Sequence, residues 1–300
     1  MKLLFGGILL LLVFAVTGIS KYHQRKSRLM QLPANNPQAF IEKGSRQEGK
    51  KLVAVIGGDI VHGTISYNFV DDAARRRSCK DYQFINAGVN GSTAYDVLQR
   101  LEDVIACQPD FVVVLVGLND AAVKIAPEFA RKNTKLAKQS EKPSLLVYEK
   151  NLSLIVSRLK VETSAKIGLM SLPVAGENLF SKENMELDQY NEGIKNIAAM
   201  HHVSYLPFNE KLKAYLKGKN ETRGGSLKNS WKLYKKLVID HLVFGHSLDR
   251  ISYANGYLLL TDGIHLNSTA GMIAAHQLEL FLKQNEHNGF ANGTKGSYTS

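Results

Sequence analysis

Asp262 and His265 have the residue types and spacing of a catalytic pair. They lie in the stretch Thr261 to Asn267, directly before a helix predicted over residues 268–283. In a turn at the start of a helix, a carboxylate three residues before a histidine can accept a hydrogen bond from one ring nitrogen, while the other nitrogen faces a cleft. A histidine oriented in this way serves as a general base. The same spacing also fits an aspartate that caps the helix and a histidine on the surface.

Three other polar turns each follow an apolar run. The turns are Gly57-Gly58-Asp59, Asn90-Gly91-Ser92 and Gly117-Leu118-Asn119-Asp120. An enzyme that transfers acyl groups needs hydrogen-bond donors fixed around a developing oxyanion. A glycine lets the backbone approach closely, and an asparagine amide offers a rigid N–H. Taken singly, Gly91 also fits a turn glycine before a helix, and Asn119 fits an Asx turn.

The elements that position these turns alternate between strand and helix. The run Val53 to Ile56 is apolar without alternation, which predicts a strand buried on both faces, and the glycines after it force a tight exit. Four more strands are predicted over residues 82–88, 111–116, 166–172 and 203–208. Helices are predicted after the first two strands and over 145–159 and 185–200, the first of them containing Ile65, Phe69, Val70 and Ala73. This alternation predicts a parallel sheet covered on both faces.

Chain length and composition favour one α/β domain over residues 51–285, with room for a single core. Residues 286–300 are predicted to be a flexible polar tail. Residues 21–50 lack sustained periodicity and are predicted to be a basic, polar stalk. The sequence contains two basic insertions, residues 124–142 and 211–236. The first follows Asn119 and is expected to overhang the cleft. The second is interpreted as a solvated insertion, with a basic lip for an anionic surface or polymer as the alternative.

Residues 1–20 are predicted to be a transmembrane anchor or a signal segment. Leu3 to Ser20 is a stretch of 18 residues without a charge, a length on the border between the two. The basic residues that follow it favour an uncleaved single-span anchor in the cell membrane. Their positive charge would keep residue 21 on the cytoplasmic side of the membrane, whereas the short N-terminal tail suggests that the domain is exported. We expect an extracytoplasmic domain, with secretion as the alternative.

Charge and cysteine usage argue against several other classes of protein. The net charge is +11, but the cations lie largely in the stalk and the insertions, and no nucleic-acid-binding motif is present. Cys79 and Cys107 fit neither a disulfide framework nor a zinc site, and His201-His202 lack a third ligand nearby in sequence. The sequence therefore predicts no metal, no cofactor and no nucleic-acid partner.

The four turns together resemble, in order and spacing, the blocks of the SGNH (GDSL-type) hydrolase family of lipases and acylhydrolases. The resemblance covers roughly residues 52–282. It implies a three-layer α/β/α, flavodoxin-like fold with a central parallel sheet of about five strands. It also implies that the Gly91 N–H and the Asn119 side chain are the oxyanion donors, that His265 is the general base, and that Asp262 orients it.

The sequence departs from this family at the nucleophile. The family pattern is Gly-Asp-Ser, whereas this chain has Gly57-Gly58-Asp59-Ile60. Either Asp59 or Ile60 therefore stands where the serine is expected. Attack by an Asp59 carboxylate on an ester would form a mixed anhydride, which is uphill compared with an acyl-serine. Ser66, the nearest serine, is expected to lie too far along the following helix.

Two functions remain compatible with the sequence. The first is an ester hydrolase acting on acyl or acetyl groups of a lipid or a glycan, with an altered nucleophile and weak or absent activity. In it, Asp59 and His265 would together activate water. The alternative is a pseudo-hydrolase that binds an acylated or glycan ligand in the same cleft without turning it over.

Overall fold

The computed structural model describes residue 24 and residues 27–44, 46–132, 142–219 and 227–291. The predicted anchor, residues 1–20, and most of the predicted tail, residues 286–300, lie outside this described part. Within it, the structure contains no helix that is both long enough and apolar enough to cross a membrane.

Five parallel strands form the centre of the molecule, as the sequence predicted. The strands are β1 Lys51–Gly57, β2 Tyr82–Gly88, β3 Phe111–Leu115, β4 Lys166–Met170 and β5 Ser204–Leu206. Their order across the sheet is β2-β1-β3-β4-β5, so β1 lies between β2 and β3. Gly57 at the end of β1 is in register with Gly88 of β2 and Leu115 of β3. The chain segments that follow these three strands consequently emerge at one edge of the sheet.

Helices cover both faces of the sheet. Those of the described residues are α1 Pro37–Lys43, α2 Asp59–His62, α3 Phe69–Arg75, α4 Ala94–Gln99, α5 Leu101–Ile105, α6 Leu118–Ile125, α7 Pro127–Lys132, α8 Leu145–Glu162, α9 Lys182–His201, α10 Phe208–Leu216, α11 Ser230–Val238, α12 Leu248–Ala254 and α13 Ser268–Ala291. Helices α3, α10 and α13 pack together in one layer, and α4, α6, α8 and α9 pack in the other. The predicted three-layer α/β/α architecture is confirmed.

The sheet supplies the centre of the hydrophobic core. All five residues of β3 are buried, and in β1 only Lys51 is exposed. A strand with apolar side chains on both sides can be covered only by two layers of helices, because either uncovered face would leave these side chains in water. The uninterrupted apolar runs in the sequence therefore determine the layered architecture.

The segment after β1 differs from the single helix that the sequence predicted. Helix α2 is one short turn that ends at Gly63, where φ is +77°. A new helix, α3, begins only after Asn68, whose side chain accepts a hydrogen bond from the N–H of Asp71. The apolar residues whose spacing suggested one helix are therefore distributed over a helical turn, a loop and a second helix. Ser66 lies in that loop.

Part of the predicted stalk packs against the domain. Within residues 21–50, Pro37–Lys43 forms helix α1, and Asn35 bonds through both its backbone and its side chain to the edge strand β2. His62, for which the sequence suggested a packing or hydrogen-bonding role, lies 2.8 Å through Nε2 from the carbonyl oxygen of Gln31. The described part of the segment therefore follows the surface of the domain.

Gly57 provides a test of the close packing at the end of β1. A Cβ atom at this position would collide with the backbone oxygen of Leu115 and with the side chain of Val61. We expect Gly57→Ala to lower the free energy of unfolding by about 1–3 kcal/mol or more, as overpacking does, measured by urea denaturation.

The control is Gly44→Ala. A Cβ atom at Gly44 would meet no other atom within 4 Å. The only cost of this substitution is the strain of an alanine at a φ of +60°, which lowers the free energy of unfolding by roughly 1 kcal/mol. Equal losses in the two variants would show that the strand end has room to relax.

Candidate active site

Three strand ends bring Asp59, Gly91 and Asn119 together. Asp59 is the first residue of helix α2 after β1, Gly91 lies in the turn after β2, and Asn119 is in the first turn of helix α6 after β3. The three strands are neighbours in the sheet and run in parallel, so residues 60 positions apart meet at one edge. The backbone at Gly91 has a φ of +76°, a conformation that a side chain would strain.

The carboxylate of Asp59 binds both of the predicted oxyanion donors. Its Oδ2 atom accepts hydrogen bonds from the N–H of Gly91 at 3.0 Å and from Nδ2 of Asn119 at 2.7 Å. Two converging N–H groups with one oxygen between them are the arrangement that stabilises an oxyanion in acyl transfer. Here the oxygen between them belongs to the protein itself.

Asp262 and His265 form the predicted pair. Oδ2 of Asp262 lies 2.9 Å from Nδ1 of His265, and Oδ1 accepts hydrogen bonds from the backbone N–H groups of His265 and Ile264. The ring of His265 is only 3 % exposed. Because Nδ1 is engaged by the carboxylate, Nε2 is the nitrogen available to a ligand in the adjoining pocket.

The surrounding carboxylates control the charge of His265. Burial by itself would lower the pKa of this histidine, but the charge and hydrogen bond of Asp262, together with the charge of Asp59, outweigh it and raise the pKa above its ordinary value. For Asp262, burial would raise the pKa, and His265 with the backbone N–H bonds lowers it. His265 therefore keeps its proton to higher pH, which reduces the fraction available as a neutral base.

Sequence reasoning missed the residues that fix the His265 loop. Oγ of Ser66 accepts a hydrogen bond from the N–H of Leu266 at 2.9 Å, and the N–H of Thr261 donates to the carbonyl of His265 at 2.8 Å. Ser66 was expected in a helix away from the site. It is instead buried beside the loop, and since its partner lies 200 residues away, no local pattern could have shown the contact.

Asp120 joins the two donor segments. Its buried carboxylate accepts hydrogen bonds from the N–H of Ala94, at the start of helix α4, and burial raises its pKa to about 7. Asn119, the residue before it, also donates to the carbonyl of Ser92 at 3.2 Å. These bonds tie the Gly91 turn to the start of α6 and hold the two donors at a fixed separation.

An apolar pocket opens beside these polar groups. It is open to solvent on one side, and the empty space in and around it is about 640 Å³. The apolar part of this pocket is called here the acyl pocket. It is lined by Leu115, Val116, Leu118, Ala122, Ile125, Ala126, Phe129, Leu172 and Ile264. Asp59, Asn119, Asp262 and His265 also line the pocket, as does Ile60, the other residue considered for the nucleophile position. One end of a ligand in the pocket would thus contact these polar groups, and the rest of the ligand would contact apolar side chains.

Three aromatic residues, called here the aromatic cover, form a cluster at this pocket. Phe129 and Tyr234 line the pocket, and Trp231 packs against both. Phe129 of helix α7 packs edge-on against Tyr234 of helix α11, with ring centroids 5.2 Å apart, and Tyr234 stacks on Trp231 at 5.5 Å. The ring of Tyr234 also lies 5.9 Å from that of His265. Both helices belong to the predicted basic insertions, so the expected position of residues 124–142 over the cleft is confirmed for the part that is described.

A family model decides the evolutionary relationship of the chain. The model for the GDSL-like lipase/acylhydrolase family matches residues 55–229, which is more than half of the sequence. The chain belongs to this family. The matched range includes Asp59, Gly91 and Asn119, whereas Asp262 and His265 lie beyond it. Comparison with curated proteins gave no match.

Solved structures with the same fold include several esterases. An acetylxylan esterase from Geobacillus stearothermophilus has 18 % identity and a TM-score of 0.54, over 79 % of this chain and 96 % of its own. The acetyl xylan esterase AlAXEase has 20 % identity and a TM-score of 0.51, over 76 % and 97 %. An alpha/beta hydrolase enzyme from the metagenome of Lake Arreo, Spain, has 18 % identity and a TM-score of 0.54, over 78 % and 95 %. At these identities the likeness establishes the fold.

All five residues singled out from the sequence of this family member lie at one site. Hydrogen bonds join Asp59 to Gly91 and Asn119, and Asp262 to His265. The two groups border the same pocket. Their catalytic roles stay predictions, since the distances describe positions and not a reaction.

The influence of Asp59 on His265 can be measured directly. We expect Asp59→Asn to lower the pKa of His265, because one of the two charges that raise it is removed. The measurement is the pH dependence of the His265 ring resonances by NMR. As the control, Asp71→Asn removes a carboxylate that does not contribute to the pKa of His265. An unchanged His265 titration in Asp59→Asn would place Asp59 too far away to act on the ring.

Proposed function

We propose that this protein is a GDSL-like family member that binds an acyl ester in the cleft and hydrolyses it weakly or not at all. The observation that carries the proposal is the pair of hydrogen bonds from Gly91 and Asn119 to Oδ2 of Asp59. In an active hydrolase, these donors would receive the carbonyl oxygen of the ester as it becomes negatively charged.

A carboxylate in this place opposes the reaction in two ways. It occupies both donors, so the ester oxygen would have to displace it. It also puts a negative charge beside the place where a second negative charge must develop, and like charges at short range in a low-dielectric site repel strongly. Each effect destabilises the transition state more than the bound ester. The protein would therefore still bind the ester but turn it over slowly or not at all.

Asp59 is also a poor replacement for the serine in chemical terms. Its attack would give a mixed anhydride in place of an acyl-serine. For that step Oδ2 would further have to leave its two hydrogen bonds. Covalent catalysis through Asp59 is therefore not part of the proposal.

Slow hydrolysis by water is the second candidate function. It is favoured by the bond between Asp262 and His265 at 2.9 Å, because this pair retains the geometry of an oriented general base. Water activated by His265 would attack the ester without a covalent intermediate. The higher pKa of His265 would confine this activity to higher pH, where the ring is neutral.

The ligand class follows from the fold and the pocket. The structural neighbours include enzymes named for acetylated xylan, and we extend to this chain only the class of acyl ester, on a lipid or a glycan. The acyl pocket beside His265 would receive the acyl part, and the alcohol part would lie toward the opening.

The decisive variant is Asp59→Ser. We expect the purified domain carrying this change to hydrolyse p-nitrophenyl acetate with a kcat/KM at least 100-fold above wild type. The substitution supplies the hydroxyl and releases Gly91 and Asn119. Adding Asn119→Ala should then lower the gained rate by about 100- to 1,000-fold, the usual effect of losing one oxyanion donor.

Two controls separate the candidate functions. Asp71→Ser removes a carboxylate outside the site and should leave the rate at the wild-type value. If wild type hydrolyses the ester above background and His265→Ala abolishes this, slow hydrolysis is supported. Equal rates for wild type and Asp59→Ser would contradict the proposal that Asp59 suppresses turnover.

We also propose, from the sequence, that residues 1–20 anchor the protein in the cell membrane with the domain on the extracytoplasmic side. The uncharged stretch Leu3 to Ser20 and the basic residues after it support the anchor. The export-type character of the stretch supports the orientation, against the charge of the basic residues, which taken alone would hold residue 21 inside. A signal segment that is cleaved, releasing the domain, is the alternative.

Cell fractionation tests the proposed location. The full chain should stay in the membrane pellet through carbonate washing and be digested by protease added outside, whereas a chain beginning at residue 21 should be soluble. Recovery of the full-length protein in the soluble fraction of the cell would contradict anchoring, and protection from external protease would contradict the orientation.

A further inference from the structure

Ser230 places a hydroxyl without a hydrogen-bond partner in the wall of the pocket. The residue is the first of helix α11, is 3 % exposed, and lines the pocket together with Tyr234 and His265. Among the residues that the structure describes, nothing accepts from or donates to its Oγ atom. A buried hydroxyl left unpaired costs as much as a lost hydrogen bond, so a ligand group in the pocket that bonds to Ser230 would gain free energy.

Two pairs of polar groups in the pocket are already bonded within the chain. Asp59 and Asn119 bond to one another, and Nδ1 of His265 bonds to Asp262. These groups would hold the reacting end of a ligand. Ser230 lies on helix α11, which also carries Trp231 and Tyr234, and would contact another part of the same ligand.

The rest of the wall is hydrocarbon. Leu115 and Val116 come from the end of β3, and Ala122, Ile125 and Ala126 from helix α6 and its end. A sugar ring placed against this wall would leave several hydroxyl groups unpaired, at a cost for each. An acetyl group, with a single methyl, would contact few of the nine apolar residues of this wall. A longer aliphatic chain fits this wall.

We propose that the acyl pocket binds an aliphatic acyl chain that carries a hydroxyl group, and that this hydroxyl bonds to Ser230. A ligand hydroxyl suits Ser230 because each can both donate and accept. The inference rests on the proposed function only in assigning the ester group to the side of the cleft formed by Asn119 and His265.

The test measures binding to the wild-type domain by ligand-observed NMR titration, without any turnover. The probes are ethyl hexanoate, ethyl 3-hydroxyhexanoate and ethyl 6-hydroxyhexanoate, which share one chain length. We expect at least one hydroxylated ester to bind three- to tenfold more tightly than ethyl hexanoate. In Ser230→Ala this preference should disappear, while the affinity for ethyl hexanoate stays the same or increases.

A second pair of variants tests the apolar wall. Ala122→Leu fills the acyl pocket and should weaken binding of all three esters at least threefold. Val123→Leu makes a smaller change, one added carbon, at the next position of α6, where the side chain is 44 % exposed, and should have no effect. Thermal denaturation of each variant confirms that it is folded.

Two results would overturn the inference: equal binding of all three esters to wild type, or a hydroxyl preference that survives in Ser230→Ala. Neither depends on the role of Asp59. If Asp59→Ser gains no hydrolytic activity, the proposed function fails while a Ser230-dependent preference still stands. If the preference is absent but Asp59→Ser is active, only the present inference fails.

Discussion

The contact of Asp59 with Gly91 and Asn119 is the interaction on which the site depends. It joins the segments after three adjacent strands, and it can form only because those strands are parallel, in register and end at the same edge. A carboxylate accepting two N–H bonds stabilises the closed arrangement of these turns. Under the proposed function, the bond that stabilises the site also occupies the donors that an ester would need, so structural support and turnover would oppose each other at this position.

Groups outside the pocket maintain this geometry. Asp120 fixes the starts of helices α4 and α6 relative to each other, and Ser66 fixes the backbone next to His265. Asp262 and His265 are themselves almost fully buried, and charge interactions are stronger in such surroundings than in water. Asp59 therefore acts on two parts of the site. Its charge raises the pKa of His265, which would act as the base, and its carboxylate bonds to the two donors.

The sequence predicted the sheet, and it predicted that the turns carrying the five candidate residues meet at one edge, because the signals for strands and turns are local. An uninterrupted apolar run such as Val53 to Ile56 predicts a buried strand whatever the rest of the sequence is. Parallel strands then place the turns that follow them at one edge of the sheet. The helix predicted after Gly57 was wrong in its continuity, because Gly63 and Asn68 interrupt it and the apolar period alone does not report such breaks. The last helix was placed correctly at its start, Ser268, which follows directly from the Asp262 to Asn267 turn.

Other features could not have been predicted from local patterns. Ser66 meets its partner across 200 residues, and the unpaired state of Ser230 depends on which helices surround it. The sequence identified Asp59 as the departure from the family, but not that its carboxylate would lie between the two donors. That depends on the length and rotamer of one side chain within a three-dimensional site.

The most direct test of this account is an NMR measurement of the Gly91 hydrogen bond in the wild-type domain. A scalar coupling transmitted through the bond, from the Gly91 amide nitrogen to the side-chain carboxyl carbon of Asp59, is predicted. Asp59→Ala should remove this coupling and shift the Gly91 amide proton upfield. Absence of the coupling, with a Gly91 amide resonance that does not respond to Asp59→Ala, would mean that the donors are free for an ester and would contradict the central claim.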